Sequence, residues 1–195
     1  MISLNEALRK LIHLGSTIIP ISYLVFDIPR ITMAFVLGLA SLAVVFIDLG
    51  RTRIKWLEVL FSKVFNNLLR SHERTGMLTG ASWVIIGAFV TILLFPRDLA
   101  VLALLFMFLG DTAAALVGLQ FGKTFIWDKS LEGTIAGLMV CLAVGFAFPN
   151  IPLLVLVCGA ITAMVIELLP IPIDDNLRIP VAAGAVMVLI NNFLI

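Results

Sequence analysis

The chain has 195 residues, 62% of them hydrophobic and only 13% charged, with a formal net charge of +1 and a mean hydropathy of +1.17. Soluble domains carry about 25% charged residues and about 45–50% apolar ones, so a water-soluble globule is excluded and a membrane protein is expected. One bilayer crossing takes about 20 mainly apolar residues, which leaves no room for a separate soluble domain.

Long apolar runs, helix breakers and charged punctuation predict an all-α bundle of seven transmembrane helices in one domain spanning residues 1–195. The predicted helices cover 11–26, 31–47, 77–95, 99–119, 132–148, 151–169 and 179–194. The runs lack the two-residue alternation of a membrane barrel. Asp27-Ile28-Pro29-Arg30, Pro96-Arg97-Asp98 and Pro149-Asn150-Ile151-Pro152 read as short turns, because proline ends one helix and permits the next. The first run closes at Phe26-Asp27-Ile28-Pro29 with no small-residue cleavage site, which argues against a removable signal peptide. Cys141 and Cys158 lie inside apolar runs and read as small hydrophobes rather than a disulfide framework.

With the N-terminus in the cytoplasm, eleven of the thirteen Lys and Arg fall on the inner side, and only Arg30 and Arg97 fall outside. The positive-inside rule selects that orientation. The inner segment 51–75 is distinct: Ile54, Leu57, Phe61, Val64 and Leu68 recur at spacings of three and four, with Arg53, Lys63, Asn67 and Arg70 elsewhere around the helix. This predicts an amphipathic helix lying in the membrane interface, either attracting anionic groups or serving as a linker whose charges fix topology.

Ionisable residues inside apolar runs cost about 2.5–3.5 kcal/mol at mid-bilayer and call for a reason. His13, Asp111 and Glu167 are of this kind, with Asp48 and Glu132 nearer helix ends. Arg9, Lys10 and His13 share one helical face where the first helix enters the membrane, which makes an anion site or a set of topological anchors. Asp111 precedes a small-residue stripe of Ala114, Gly118 and Gly122 and then Lys123. A carboxylate beside a smooth wall followed by a lysine suits a magnesium-polyphosphate ligand. Gly118-Leu119-Gln120-Phe121-Gly122-Lys123-Thr124 imitates a Walker A loop but has three residues between its glycines instead of four. It also lacks the strand that must precede one.

Lys129 and Glu132 stand at the start of the fifth helix, whose free N–H groups favour anions, and Gly133 and Gly137 form a close-packing face. Glu167 is followed by Asp174-Asp175-Asn176, a supply of oxygen ligands for a cation or alternatively a solvated turn. Carboxylates crowded in apolar surroundings repel unless a cation joins them.

Together Arg9-Lys10-x-x-His13, Gly110-Asp111-x6-Gly118-x3-Gly122-Lys123, Lys129-Ser130-x-Glu132-Gly133 and Glu167-x6-Asp174-Asp175-Asn176-x3-Pro180 resemble the CTP-dependent lipid-alcohol kinase family. That family includes dolichol (polyprenol), phytol and diacylglycerol kinases and is related to the phosphatidate cytidylyltransferases. The resemblance implies transfer of the γ-phosphate of CTP, with Mg2+ or another divalent cation, to the hydroxyl of a membrane lipid alcohol at the cytoplasmic face. It also implies a compact prokaryotic plasma-membrane form, with the bilayer and no nucleic acid as partner. The assignments expected on this basis are metal binding by Asp111, Asp174, Asp175 and Asn176, and nucleotide binding by Arg9, Lys10, Gly118, Gly122, Lys123 and Lys129. For the catalytic groups, Asp111 is joined by His13, Glu132 or Glu167 as the proton acceptor, a choice the sequence leaves open, as it does the alcohol and the oligomeric state. Two rivals are a cytidylyltransferase using the same nucleotide site and a small ion-coupled transporter.

Overall fold

A computed structural model describes residues 4–65 and 77–194. Asn67, Leu68, Arg70 and Arg74 of the predicted interfacial helix lie outside the described residues, as do the side chains of Lys63 and Val64. The described residues are almost all helical: α1 (Leu4–Gly15), α2 (Ile18–Val25), α3 (Arg30–Gly50), α4 (Lys55–Phe65), α5 (Gly80–Leu94), α6 (Arg97–Leu105), a π-helical turn (Phe106–Asp111), α7 (Thr112–Phe121), α8 (Leu131–Gly145), α9 (Leu153–Leu168) and α10 (Asp175–Leu194). Between α7 and α8 lies a small antiparallel hairpin of β1 (Phe125–Ile126) and β2 (Lys129–Ser130).

The first predicted helix is two helices. At the break, the Thr17 N–H and hydroxyl both donate to the Leu14 carbonyl, the acceptor that the Ile18 N–H would use in a continuing helix. At eight residues, α2 is about 12 Å long. Arg30–Gly50, Arg97–Phe121 and Asp175–Leu194 are long and apolar enough to cross a membrane, whereas α5, α8 and α9 are shorter apolar helices. The seven predicted runs therefore correspond to helices, but among the described residues three helical stretches reach crossing length.

Helix α6, the π turn and α7 form the continuous central element, with Val101–Leu104 and Phe106–Phe108 fully buried. Around it pack α2, α5, α8, α9 and α10. Large apolar side chains such as Ile31, Leu42 and Phe193 face outward, as expected of a surface solvated by lipid. Arg30 and Arg97 close helix ends. Arg97 pairs with Asp27, a residue with φ of 49°, and donates to the Tyr23 and Leu24 carbonyls, while Arg30 donates to the Ile92 carbonyl.

Two close approaches set the site's frame. A Cβ at Gly133 would lie 2.4 Å from the Ala114 carbonyl oxygen, and one at Gly137 2.8 Å from that of Gly110. The absence of side chains there lets α7 and α8 pack backbone to backbone. In α10, Pro180 sits inside the helix and has no N–H for the Asn176 carbonyl. That oxygen instead lies against Gly87 of α5, where a Cβ would come within 2.1 Å.

Candidate active-site cavity

At the end of the bundle holding α1, α4 and the start of α10, a cavity of about 1320 Å³ opens. Glu6, Arg9, Lys10 and His13 of α1, and Ser16 just beyond its end, recur at helical spacing and all line it. The Lys10 ammonium donates to Asp111 at 2.9 Å, joining α1 to the end of the π turn. His13 Nε2 lies 3.7 Å from the same carboxylate oxygen and 3.4 Å from the Met107 carbonyl, its ring edge-on to Phe108. The π turn thus supplies both the carboxylate and the carbonyl that hold the α1 face, in keeping with the use of such turns at functional sites.

A second charged cluster stands on the hairpin, α9 and α10. The Lys129 ammonium lies 2.5 Å from Glu167 Oε1 and 3.2 Å from Asp175 Oδ2, and Arg178 Nε donates to Asp175 Oδ1 at 2.6 Å. Burial favours the neutral form of Lys129, but the neighbouring Asp175 and Glu167 carboxylates outweigh it and hold its pKa above the ordinary lysine value. Glu167 is 2% exposed, and its Oε2 is buried without a hydrogen-bond partner. An oxygen so placed costs free energy until a ligand, water or proton satisfies it.

Of the residues singled out in the sequence, Arg9, Lys10, His13, Asp111, Gly118, Lys129, Glu167, Asp174, Asp175 and Asn176 all line this cavity, whereas Gly122, Lys123 and Glu132 do not. Glu132 accepts the backbone N–H groups of Lys123 and Thr124, each at 3.1 Å, tying the loop after α7 to the start of α8. Gly122 packs on Ser130, which itself caps α8 by accepting the Gly133 N–H. The Asp174 carboxylate accepts the backbone and side-chain amides of Asn176 and so orders the start of α10. Among the described residues, no group of three His, Cys, Asp or Glu side chains gathers as a metal cage.

Sequence reasoning gave no role to a third polar group on the cavity wall. Asp48, buried near the end of α3, accepts from the Thr79 N–H at 2.7 Å, the Thr79 hydroxyl at 3.0 Å and the Ser82 hydroxyl at 2.7 Å, and lies 3.2 Å from Arg51 Nε. Thr79 caps α5 through Ser82. The signal was present, since Thr79-x-x-Ser82 before an apolar run marks a helix start, but nothing local reveals that its partner lies on α3.

No protein-family model matches the chain, and no solved structure matches it. An uncharacterized protein of Rickettsia prowazekii is 28% identical over 186 residues, 91% of this chain and 90% of its own. A protein of Schizosaccharomyces pombe named CTP-dependent diacylglycerol kinase 1 is 29% identical over 151 residues, 67% of this chain and 68% of its own. Distant homologues of the chain are CTP-dependent diacylglycerol kinases. The Saccharomyces cerevisiae protein of the same name is a further one, 26% identical over 71% of this chain, where the match spans about half of the yeast protein (49%).

Proposed function

We propose that the chain transfers the γ-phosphate of CTP to the hydroxyl of a membrane lipid alcohol, diacylglycerol first among them, at the cytoplasmic face of the membrane. The observation that carries this reading is the gathering of Arg9, Lys10, Lys129 and Arg178 with Asp111, Glu167 and Asp175 around one cavity. It is joined to the CTP-dependent diacylglycerol kinase activity for which the two yeast relatives are named. Phosphoryl transfer depends chiefly on positioning and charge stabilisation, which this set provides.

The cations neutralise the polyphosphate, in competition with their present carboxylate partners. The lipid oxygen bonds to the γ-phosphorus, the bond from that phosphorus to the bridging oxygen breaks, and CDP leaves. The hydroxyl proton passes to a group lining the cavity, either Glu167 through its unpartnered oxygen or the His13 imidazole. Glu132, engaged with two backbone amides outside the cavity, is the weakest of the three expected candidates.

Magnesium typically takes one or two carboxylates and completes its shell with phosphate oxygens and water. The donor set fits that pattern, since Glu167 Oε2 is a buried oxygen lacking a partner and Asp111 and Asp175 line the same cavity. Asp111 with Asp175 would hold the ion, joined by Glu167 only where His13 takes the proton, while Asp174 and Asn176 brace the start of α10. When bound, the cation neutralises charge on the transferring phosphate.

The test is purified protein in phosphatidylcholine vesicles containing dioleoylglycerol, supplied with γ-labelled CTP. Label is expected in the lipid fraction with wild type, reduced at least about a hundredfold in Asp111→Asn. Unlabelled lipid with wild type across a panel of diacylglycerol, polyprenol and phytol would sink the reading.

A further inference from the structure

The cavity is larger than the roughly 300–1,000 Å³ that suffices for one small molecule, and its lining is divided by chemistry. The charged groups stand on α1, the end of the π turn, the hairpin, the end of α9 and the start of α10. The opposite wall comes from Val44 and Ile47 of α3, Leu57 and Phe61 of α4, and Val84 and Ile85 of α5. The one carboxylate on that wall, Asp48, is already engaged by Thr79, Ser82 and Arg51, so it offers little to an incoming phosphate. Arg51 also stacks its guanidinium 4.7 Å over the Phe61 ring, fixing α4 against the apolar wall.

Helix α1 packs on α7 and the π turn, and no packing as extensive joins it to α3 or α5 among the described residues. Ile12 of α1 is 51% exposed and Ile47 of α3 39% exposed, and both also line the cavity.

Resting on the proposed kinase reading, we infer that Val44, Ile47, Leu57, Phe61, Val84 and Ile85 form a chamber for the hydrocarbon chain of the acceptor lipid, entered sideways between α1 and α3. The hydroxyl end then faces Asp111 and Lys10 across the cavity, and the rest of the chain passes between Ile12 and Ile47 into the bilayer. These six residues set which tails are accepted, whereas the charged wall sets the phosphate donor. Chain discrimination in such a chamber is worth roughly 10–200-fold for a single methylene-sized change.

Ile85→Trp and Val44→Phe narrow the chamber without touching a charged group. Either is expected to raise the KM for dioleoylglycerol about tenfold while the KM for CTP stays within about twofold, and to spare dioctanoylglycerol more than the long-chain lipid. Equal effects on both substrates, or none on either, would overturn the inference. A probe on the wild-type protein covers variants that fail to fold: a diacylglycerol with a mid-chain diazirine, in phosphatidylcholine vesicles. Cross-links at Val44, Ile47 or Ile85 that excess dioleoylglycerol removes support the chamber. Cross-links confined to outward residues such as Ile31 and Leu42, and insensitive to competitor, contradict it. Wild type that phosphorylates no membrane alcohol would instead refute the kinase reading on which the chamber rests.

Discussion

Lys10 of α1 holds the carboxylate of Asp111 at 2.9 Å across 101 residues of sequence. Both side chains are largely shielded, and the contact brings a helix that packs on few neighbours against the buried centre of the bundle. It places an ammonium and a carboxylate of the candidate site in one hydrogen bond, so that structure and chemistry depend on the same pair.

Removing one partner leaves the other charge buried and uncompensated, which costs about 3–5 kcal/mol. Lys10→Met and Asp111→Asn are each expected to lower the melting temperature in detergent, and the double variant to recover much of the loss. Phosphoryl transfer stays abolished in all three. A double variant no more stable than the singles would show that the pair does not hold α1.

Glu132 acts through backbone amides, so the type of substitution should matter. Glu132→Ala leaves the Lys123 and Thr124 N–H groups without their acceptor and is expected to reduce stability and turnover together. Glu132→Gln keeps an acceptor oxygen and should restore most of both, within about threefold of wild-type kcat. A Gln variant as inactive as the Ala variant but stable would instead assign Glu132 to proton transfer.

Lys129 has its pKa raised above the ordinary 10.5. A group whose folded pKa is raised contributes stability that is complete below the unfolded pKa and is lost as pH climbs through the folded one. The stability difference between wild type and Lys129→Met should therefore stay level between about pH 7.5 and 9.5 and shrink only above about 10.5. Thermal melts by circular dichroism across this range test it, and a difference already fading at pH 9 would contradict the ion-paired geometry.

Asp48 satisfies three donors at the start of α5, two on its cap Thr79 and one on Ser82, and pairs with Arg51. Asp48→Ala removes the shared acceptor of the buried Thr79 and Ser82 donors and the carboxylate beside Arg51, and is expected to cost about 3–5 kcal/mol, more than the roughly 1–2 kcal/mol of losing the Thr79 hydroxyl, with its cap and its bond to Asp48, in Thr79→Val. Equal melting shifts for the two variants would contradict the network.

What the sequence made legible follows from periodicity and punctuation. Pro29, Pro96 and Pro152 stand immediately before α3, α6 and α9, and the charged residues scarce enough to notice, such as Asp111 and Glu167, line one cavity. The break at Ser16-Thr17 was hidden because hydroxyl back-bonding to carbonyls leaves the apolar pattern unchanged. The π turn over Phe106–Asp111 was equally hidden, since one wider turn alters no residue type. Helix α10 begins at Asp175 rather than 179 because a proline is tolerated where the carbonyl it strands, that of Asn176, faces a glycine. The small residues Gly118, Gly122 and Gly133 were visible, but whether they admit a phosphate or a neighbouring helix depends on α8 and Ser130 lying opposite.

The most direct test of the central claim is the nucleotide product released by purified protein turning over CTP with dioleoylglycerol in vesicles. Attack of a lipid hydroxyl at the γ-phosphorus releases CDP in amounts equal to the phospholipid formed, which is the expected result. Release of pyrophosphate, the signature of attack at the α-phosphorus, would contradict it.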